Sequence, residues 1–129
     1  MTFSTEERAA MKARAAELKQ EQSEAAVLAK IAEMPQPDRG MAERLLSIVA
    51  EAAPDLRPKL YYGQPGWARN GKVVVFFRSG QGDKARYSTL GFSPEARLDD
   101  GGGLWPTSYA LEHLDDAGAA VIAQLVKRV

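Results

Sequence analysis

The chain has no cysteine and a single histidine, His113, so disulfides, thiolate nucleophiles and thiolate metal sites are excluded. No apolar run approaches the roughly 20 residues a bilayer span needs. The opening MTFSTEERAA is charged from Glu6 onward and lacks the apolar stretch of a secretory signal. Net charge is absent too: 17 basic and 17 acidic side chains cancel, so no global field draws the protein to nucleic acid or an acidic membrane surface. A cytoplasmic protein without membrane or nucleic-acid partners is the expectation.

Catalytic patterns are missing as well. There is no G-x-S-x-G, Walker or G-x-G-x-x-G element, and Gly101-Gly102-Gly103 lacks both a following lysine and a helix start. With one histidine, nucleophilic triads reduce to a single unsupported base. No catalytic residue is assigned, and a non-enzymatic binding or adaptor domain is the expected class. Glu112-His113-Leu114-Asp115-Asp116 is the densest acidic stretch, with donors for weak binding of a divalent ion or iron. Such carboxylates more commonly cap a helix, and a pair such as Asp99-Asp100 more commonly shapes a loop. No metal ligand and no cofactor is assigned.

What is present suits one core. The 129 residues are 45% apolar and 26% charged, ordinary for a single globular domain. Ser4 and Glu7 have the spacing of a capping box, and the following stretch to Gln22 is rich in helix formers with only a thin stripe of Met11, Ala15 and Leu18. Residues 1–22 therefore read as a helical extension, the least firmly docked part, ahead of a domain over 23–129. Ser23 is a second N-cap candidate for a helix carrying Val27, Leu28, Ile31 and Met34, which stops at Pro35. Met41, Leu45, Ile48, Val49 and Ala52 mark the next helix, closed by Pro54.

The period then changes. Lys59 to Tyr62 reads as a short strand and Gly63-Gln64-Pro65 as a turn. Asn70-Gly71 joins Gly66–Arg69 to Lys72–Arg78 in a hairpin, and a strand over Lys84 to Gly91 follows. A loop rich in glycine and a strand over Leu104 to Leu111 come next. Asp115 and Asp116 open a last helix whose apolar face is Val121, Ile122, Leu125, Val126 and Val129. Helices, then a meander, then a helix imply a two-layer α+β domain with an antiparallel sheet.

The two-residue turn sets a register of Arg69 opposite Lys72, Ala68 opposite Val73 and Trp67 opposite Val74. Gly66, Ala68, Val73, Val75 and Phe77 then share a core face. Trp67, Arg69, Lys72, Val74, Phe76 and Arg78 share the other, with Arg86 and Ser88 extending it from the next strand. Trp67, Arg69, Phe76, Arg78 and Arg86 are the candidate binding residues, an aromatic and basic surface suited to a protein partner or an anionic small ligand. The alternative stands beside it: the first helix or a second copy covers Trp67 and Phe76.

At Tyr62-Gly63-Gln64-Pro65-Gly66-Trp67, Asn70-Gly71-Lys72 and Val75-Phe76-Phe77 the chain resembles the YdhG-like domain family of bacterial proteins. Thr89-Leu90-Gly91-Phe92-Ser93, Leu98-Asp99-Asp100-Gly101 and Trp105-Pro106-Thr107 look like later segments of one branch, so the likeness spans residues 24–129. It departs at Gln64, where the family usually has methionine, and at Gly66-Trp67, where alanine-tyrosine is common. The resemblance implies a frataxin-like fold and, for some members, an intracellular iron-chaperone role. That role would involve an acidic ridge, which Arg8, Lys12, Arg14 and Lys19 interrupt here; iron remains an implication of the family, with no ligand residue carried over.

Overall fold

The computed structural model describes residues 2–129. Its first helix, α1 (Thr5–Ala32), begins at a complete capping box: the Glu7 amide donates to Ser4 Oγ at 3.0 Å and the Ser4 amide donates to Glu7 Oε1 at 3.2 Å. Ser23 does not start a second helix. It lies inside α1, because the run of good helix formers on either side offers no reason to break the ladder. The first half of α1 is exposed along its length, and only Val27 and Ile31 are buried.

Helix α2 (Asp38–Ala52) buries Met41, Ala42, Leu45 and Val49, one stripe at helical spacing, and ends ahead of Pro54. Helix α3 (Asp116–Arg128) is capped by Asp115, whose Oδ1 accepts from the Gly118 amide at 2.8 Å, and carries Lys127 and Arg128 in its last turn. Ile122, Leu125 and Val126 are buried as expected, whereas Val121 is 57% exposed and belongs to the outer side of the helix. Arg44 ties α2 to α3, donating to the Leu114 carbonyl at 2.8 Å and to Asp116 Oδ1 at 2.6 Å. Among the described residues no helix is long and apolar enough to cross a membrane.

Five strands follow one another in space as in sequence: β1 (Arg57–Pro58), β2 (Gly66–Arg69), β3 (Lys72–Arg78), β4 (Ser88–Phe92) and β5 (Ser108–Leu111), every neighbouring pair antiparallel. The two-layer α+β expectation holds, with the helices on one face of a meander. Three strand boundaries differ from expectation. Lys59 to Tyr62 is not a strand, β4 begins at Ser88 because Lys84 has φ 56° and breaks extended chain, and β5 is confined to four residues.

The hairpin turn is as expected, with Asn70 at φ 53° and Gly71 at φ 81°. Arg69 pairs with Lys72 and Ala68 with Val73, but Trp67 pairs with Val75 and Gly66 with Phe76. The register shift between Trp67 and Ala68 leaves Val74 as the extra residue of a β-bulge. One added residue reverses the faces beyond it. Trp67 therefore joins Val74, Val75, Phe77, Leu90, Phe92 and Leu111 in the core under the helices, while Ala68 and Val73 fall outside that cluster. Trp67 is 1% exposed, so the expectation that it sits on a free face is overturned. The driving force is size: an indole buries far more apolar surface than an alanine methyl, so the register that buries Trp67 wins.

Arg69 stays on the helix side with Trp67. Its Nε donates to Asp55 Oδ2 at 2.7 Å and its Nη2 to the Val129 carbonyl at 2.8 Å, closing the end of α3 onto the sheet. The hydrogen bond from Arg69 holds the Asp55 carboxyl below its ordinary value. A depressed folded-state value contributes stability above the unfolded carboxylate range, near pH 4, and that contribution is lost as pH falls through the lower folded value. Because the Asp55 side chain is 58% exposed, the effect is small, under about 1 kcal/mol. In urea titrations across the acid range, Asp55→Asn should flatten the stability profile below about pH 4. An unchanged profile would show the pair to be energetically idle.

Candidate functional site

The face opposite the helices is built from a row of three residues across three strands: Gly66 opposite Phe76 on one side and Gly91 opposite Phe76 on the other. The two glycines make room for rings. A Cβ built on Gly91 would lie 2.2 Å from Phe76 Cζ, so the Phe76 ring rests directly over the Gly91 backbone. A Cβ on Gly66 would lie 3.2 Å from Tyr61 Cβ and 2.7 Å from the Lys59 carbonyl oxygen, so Tyr61 occupies the matching space over Gly66.

Tyr61 reaches that place because the segment read as a strand is a second tight turn. Tyr62 has φ 48° and Gly63 φ 78°, and the turn closes with Tyr61 and Gln64 exchanging N–H to O bonds of 2.7 and 2.9 Å. The resulting rings touch one another. Tyr61 stacks on Phe76 with centroids 4.9 Å apart, and Tyr62 meets Tyr61 edge-on at 4.6 Å. Tyr62 is 91% exposed while its backbone sits in the left-handed region, a combination that costs about 1–2 kcal/mol for an L-residue. The chain thus places a large apolar side chain in water at a conformational cost, the opposite of what core packing alone would select.

Polar groups rim the rings. The Arg78 guanidinium is paired with the Asp83 carboxylate, and Gln64 Oε1 accepts from the Ser79 amide at 3.5 Å. Tyr61, Tyr62, Gln64, Phe76, Arg78 and Asp83 line an open cavity of about 280 Å³. Larger grooves of about 570 Å³ between α2 and α3 and about 620 Å³ along the chain after β4 do not gather three rings.

Of the five residues expected to form a binding surface, this face unites Phe76 and Arg78. Trp67 is core and Arg69 is on the helix side. Arg86 lies in the loop before β4, its guanidinium 5.0 Å from the Tyr87 ring centroid, beside a small cavity that Asp38 and Gly80 also line. Ser88, expected to extend the aromatic face, pairs with Leu111 on the core side and is buried, accepting from the Gly80 amide at 2.9 Å. Tyr61, Tyr62, Gln64 and Asp83 were not foreseen. An X-Gly pair between Tyr61 and Gln64, and a glycine inside β4, were the available signals.

The acidic residues have structural partners instead of a common centre. Asp115 caps α3, Asp116 pairs with Arg44, and Asp100 Oδ1 accepts from the Gly102 amide at 3.4 Å. Among the described residues no three His, Asp or Glu side chains come together as a metal would require, so Glu112, His113, Asp115, Asp116 and the Asp99-Asp100 loop form no shared site. Buried Asp38 has structural partners too, its Oδ2 accepting from Ser79 Oγ at 2.5 Å and from the Gln81 amide at 3.2 Å, which pins the β3–β4 loop to the start of α2. No family model matches the chain, and neither a curated protein nor a solved structure matches it.

Proposed function

We propose that this chain is a non-enzymatic binding domain that uses the open sheet face around Tyr61, Tyr62 and Phe76 to hold a ligand or a partner's ring. The observation that carries the reading is Tyr62, a tyrosine presented to solvent from a left-handed backbone position and braced edge-on against Tyr61. Rings held against one another, Phe76 on β3 and Tyr61 and Tyr62 on the tight turn before β2, lose little conformational freedom when a second apolar or ring-shaped group settles on them. The face holds no free general base beside the rings, since the only carboxylate lining the cavity, Asp83, is taken by Arg78.

Membership of the YdhG-like family is part of this proposal and rests on the sequence resemblance, with the α+β architecture compatible with it. An anionic ligand is less well supported than the rings themselves: Arg78 is neutralised by Asp83, and Arg69 and Arg86 are elsewhere. The test is a pair of substitutions read by heteronuclear NMR against a library of small ligands. Tyr62→Ala, which keeps a Cβ at the same left-handed position, is expected to keep the fold and weaken binding at least tenfold. Unchanged binding by Tyr62→Ala would remove the ring face as the site.

A further inference from the structure

We infer that the ring face takes a neutral six-membered sugar, a pyranose, as its ligand; this rests on the binding reading above. Three observations narrow the chemistry. The first is ring spacing: a cage for a quaternary ammonium needs its rings far enough apart for the cation to sit between them, whereas here the centroids lie 4.6 and 4.9 Å apart and the rings fill that space themselves. They make no cage: Tyr61 is stacked on Phe76, and the open ring is Tyr62, 91% exposed and set at 77° to Tyr61. An exposed ring receives a flat one, and one face of a pyranose offers several polarised C–H bonds to the negative face of an aromatic ring.

The second is charge. The cavity contains one guanidinium and one carboxylate, and they are bonded to each other. Their charges offset each other, so neither an anionic nor a cationic ligand meets a net opposite charge there. A neutral hydroxyl needs none, because an O–H donates to a carboxylate oxygen and accepts from a guanidinium N–H at once. With only its Nε committed to Asp83, Arg78 keeps its terminal N–H groups for a ligand. Gln64 spends its Oε1 on the Ser79 amide and adds a planar N–H₂ donor at the same rim.

The third is size. The open cavity of about 280 Å³ lies just under the usual range of small-molecule sites and suits a single ring. Planar polar groups at the edge of an aromatic floor match the arrangement of a sugar, with an apolar face flanked by equatorial hydroxyls.

The experiment titrates the full chain with methyl pyranosides of gluco, galacto and manno configuration. Adenosine, glucose 6-phosphate and tetramethylammonium serve as comparison probes, followed through the ring resonances of Tyr61, Tyr62 and Phe76. At least one pyranoside is expected to bind in the millimolar range, about 4 kcal/mol, and to shift those rings. Gln64→Leu should weaken it about tenfold, with the unfolding midpoint falling only by what the long bond to the Ser79 amide contributes. Saturable shifts by adenosine, the phosphate or the ammonium without any by a pyranoside would overturn the sugar assignment and leave the ring face standing as a site. Shifts by no probe up to tens of millimolar would overturn the sugar assignment and, with it, the ring face as a small-ligand site. A pyranoside that binds equally well to Tyr62→Ala and Gln64→Leu would show the sugar to sit elsewhere, and the inference would fall.

Discussion

Trp67→Ala should remove about 3–5 kcal/mol of folding stability. The indole is 1% exposed and packs in one cluster with residues of all three helices and of β3 and β4, so its deletion leaves a cavity that those neighbours cannot close together. A domain of this size has about 5–15 kcal/mol in total, so the variant is left marginal at best. Urea unfolding followed by circular dichroism measures it: the midpoint should fall with little change in slope. A midpoint like the parent's would contradict the register that buries Trp67. Phe76→Ala is the internal control, since Phe76 is half-buried on the opposite face and its loss should cost clearly less.

Gly91→Ala is the second large effect, and it joins the fold to the site. The added Cβ would lie 2.2 Å from Phe76 Cζ and under 3.0 Å from two further ring atoms, so the ring has to swing off the sheet. About 1–3 kcal/mol of overpacking is expected, together with loss of the Tyr61–Phe76 stack, worth about 0.5–1.5 kcal/mol. Denaturation midpoints give the first part, and near-ultraviolet circular dichroism of the rings gives the second. The double variant Gly91→Ala, Phe76→Ala tests the cause, because without the ring there is nothing for the methyl to strike. Its loss of stability should fall short of the sum of the two separate losses by about 1 kcal/mol or more. Simple additivity would mean that the glycine matters for some reason other than the ring above it.

Much of the fold was legible because its determinants are local. The Ser4 and Glu7 box, the stripe of Met41, Leu45 and Val49, the Asn70-Gly71 turn and the Asp115 cap each depend on residues within a few positions of one another. The candidate site was half legible for the same reason in reverse. Phe76 and Arg78 follow from alternation along β3, but Tyr61 is brought to Phe76 by a turn whose first central residue is a tyrosine, a type seldom found at positive φ. Sequence period alone reads such a tyrosine pair as strand. The acidic stretch at residues 112–116 was equally visible as a helix start and as a ligand set, and only the partners of Asp115 and Asp116 separate the two.

Local sequence is enough to specify a meander of antiparallel strands with helices before and after it, and a hairpin pinned at Asn70-Gly71. It did not determine which face of that hairpin is buried. Register near a turn is a local matter, and the first two pairs, Arg69 with Lys72 and Ala68 with Val73, come out as the turn dictates. Beyond them a bulged residue costs one unpaired position, whereas leaving Trp67 in water would forfeit the burial of the largest side chain in the core. That comparison is made across the whole helix layer. The tertiary structure resolved it in favour of the bulge at Val74, which sent Trp67 inward and left Tyr61, Tyr62 and Phe76 to form the open face.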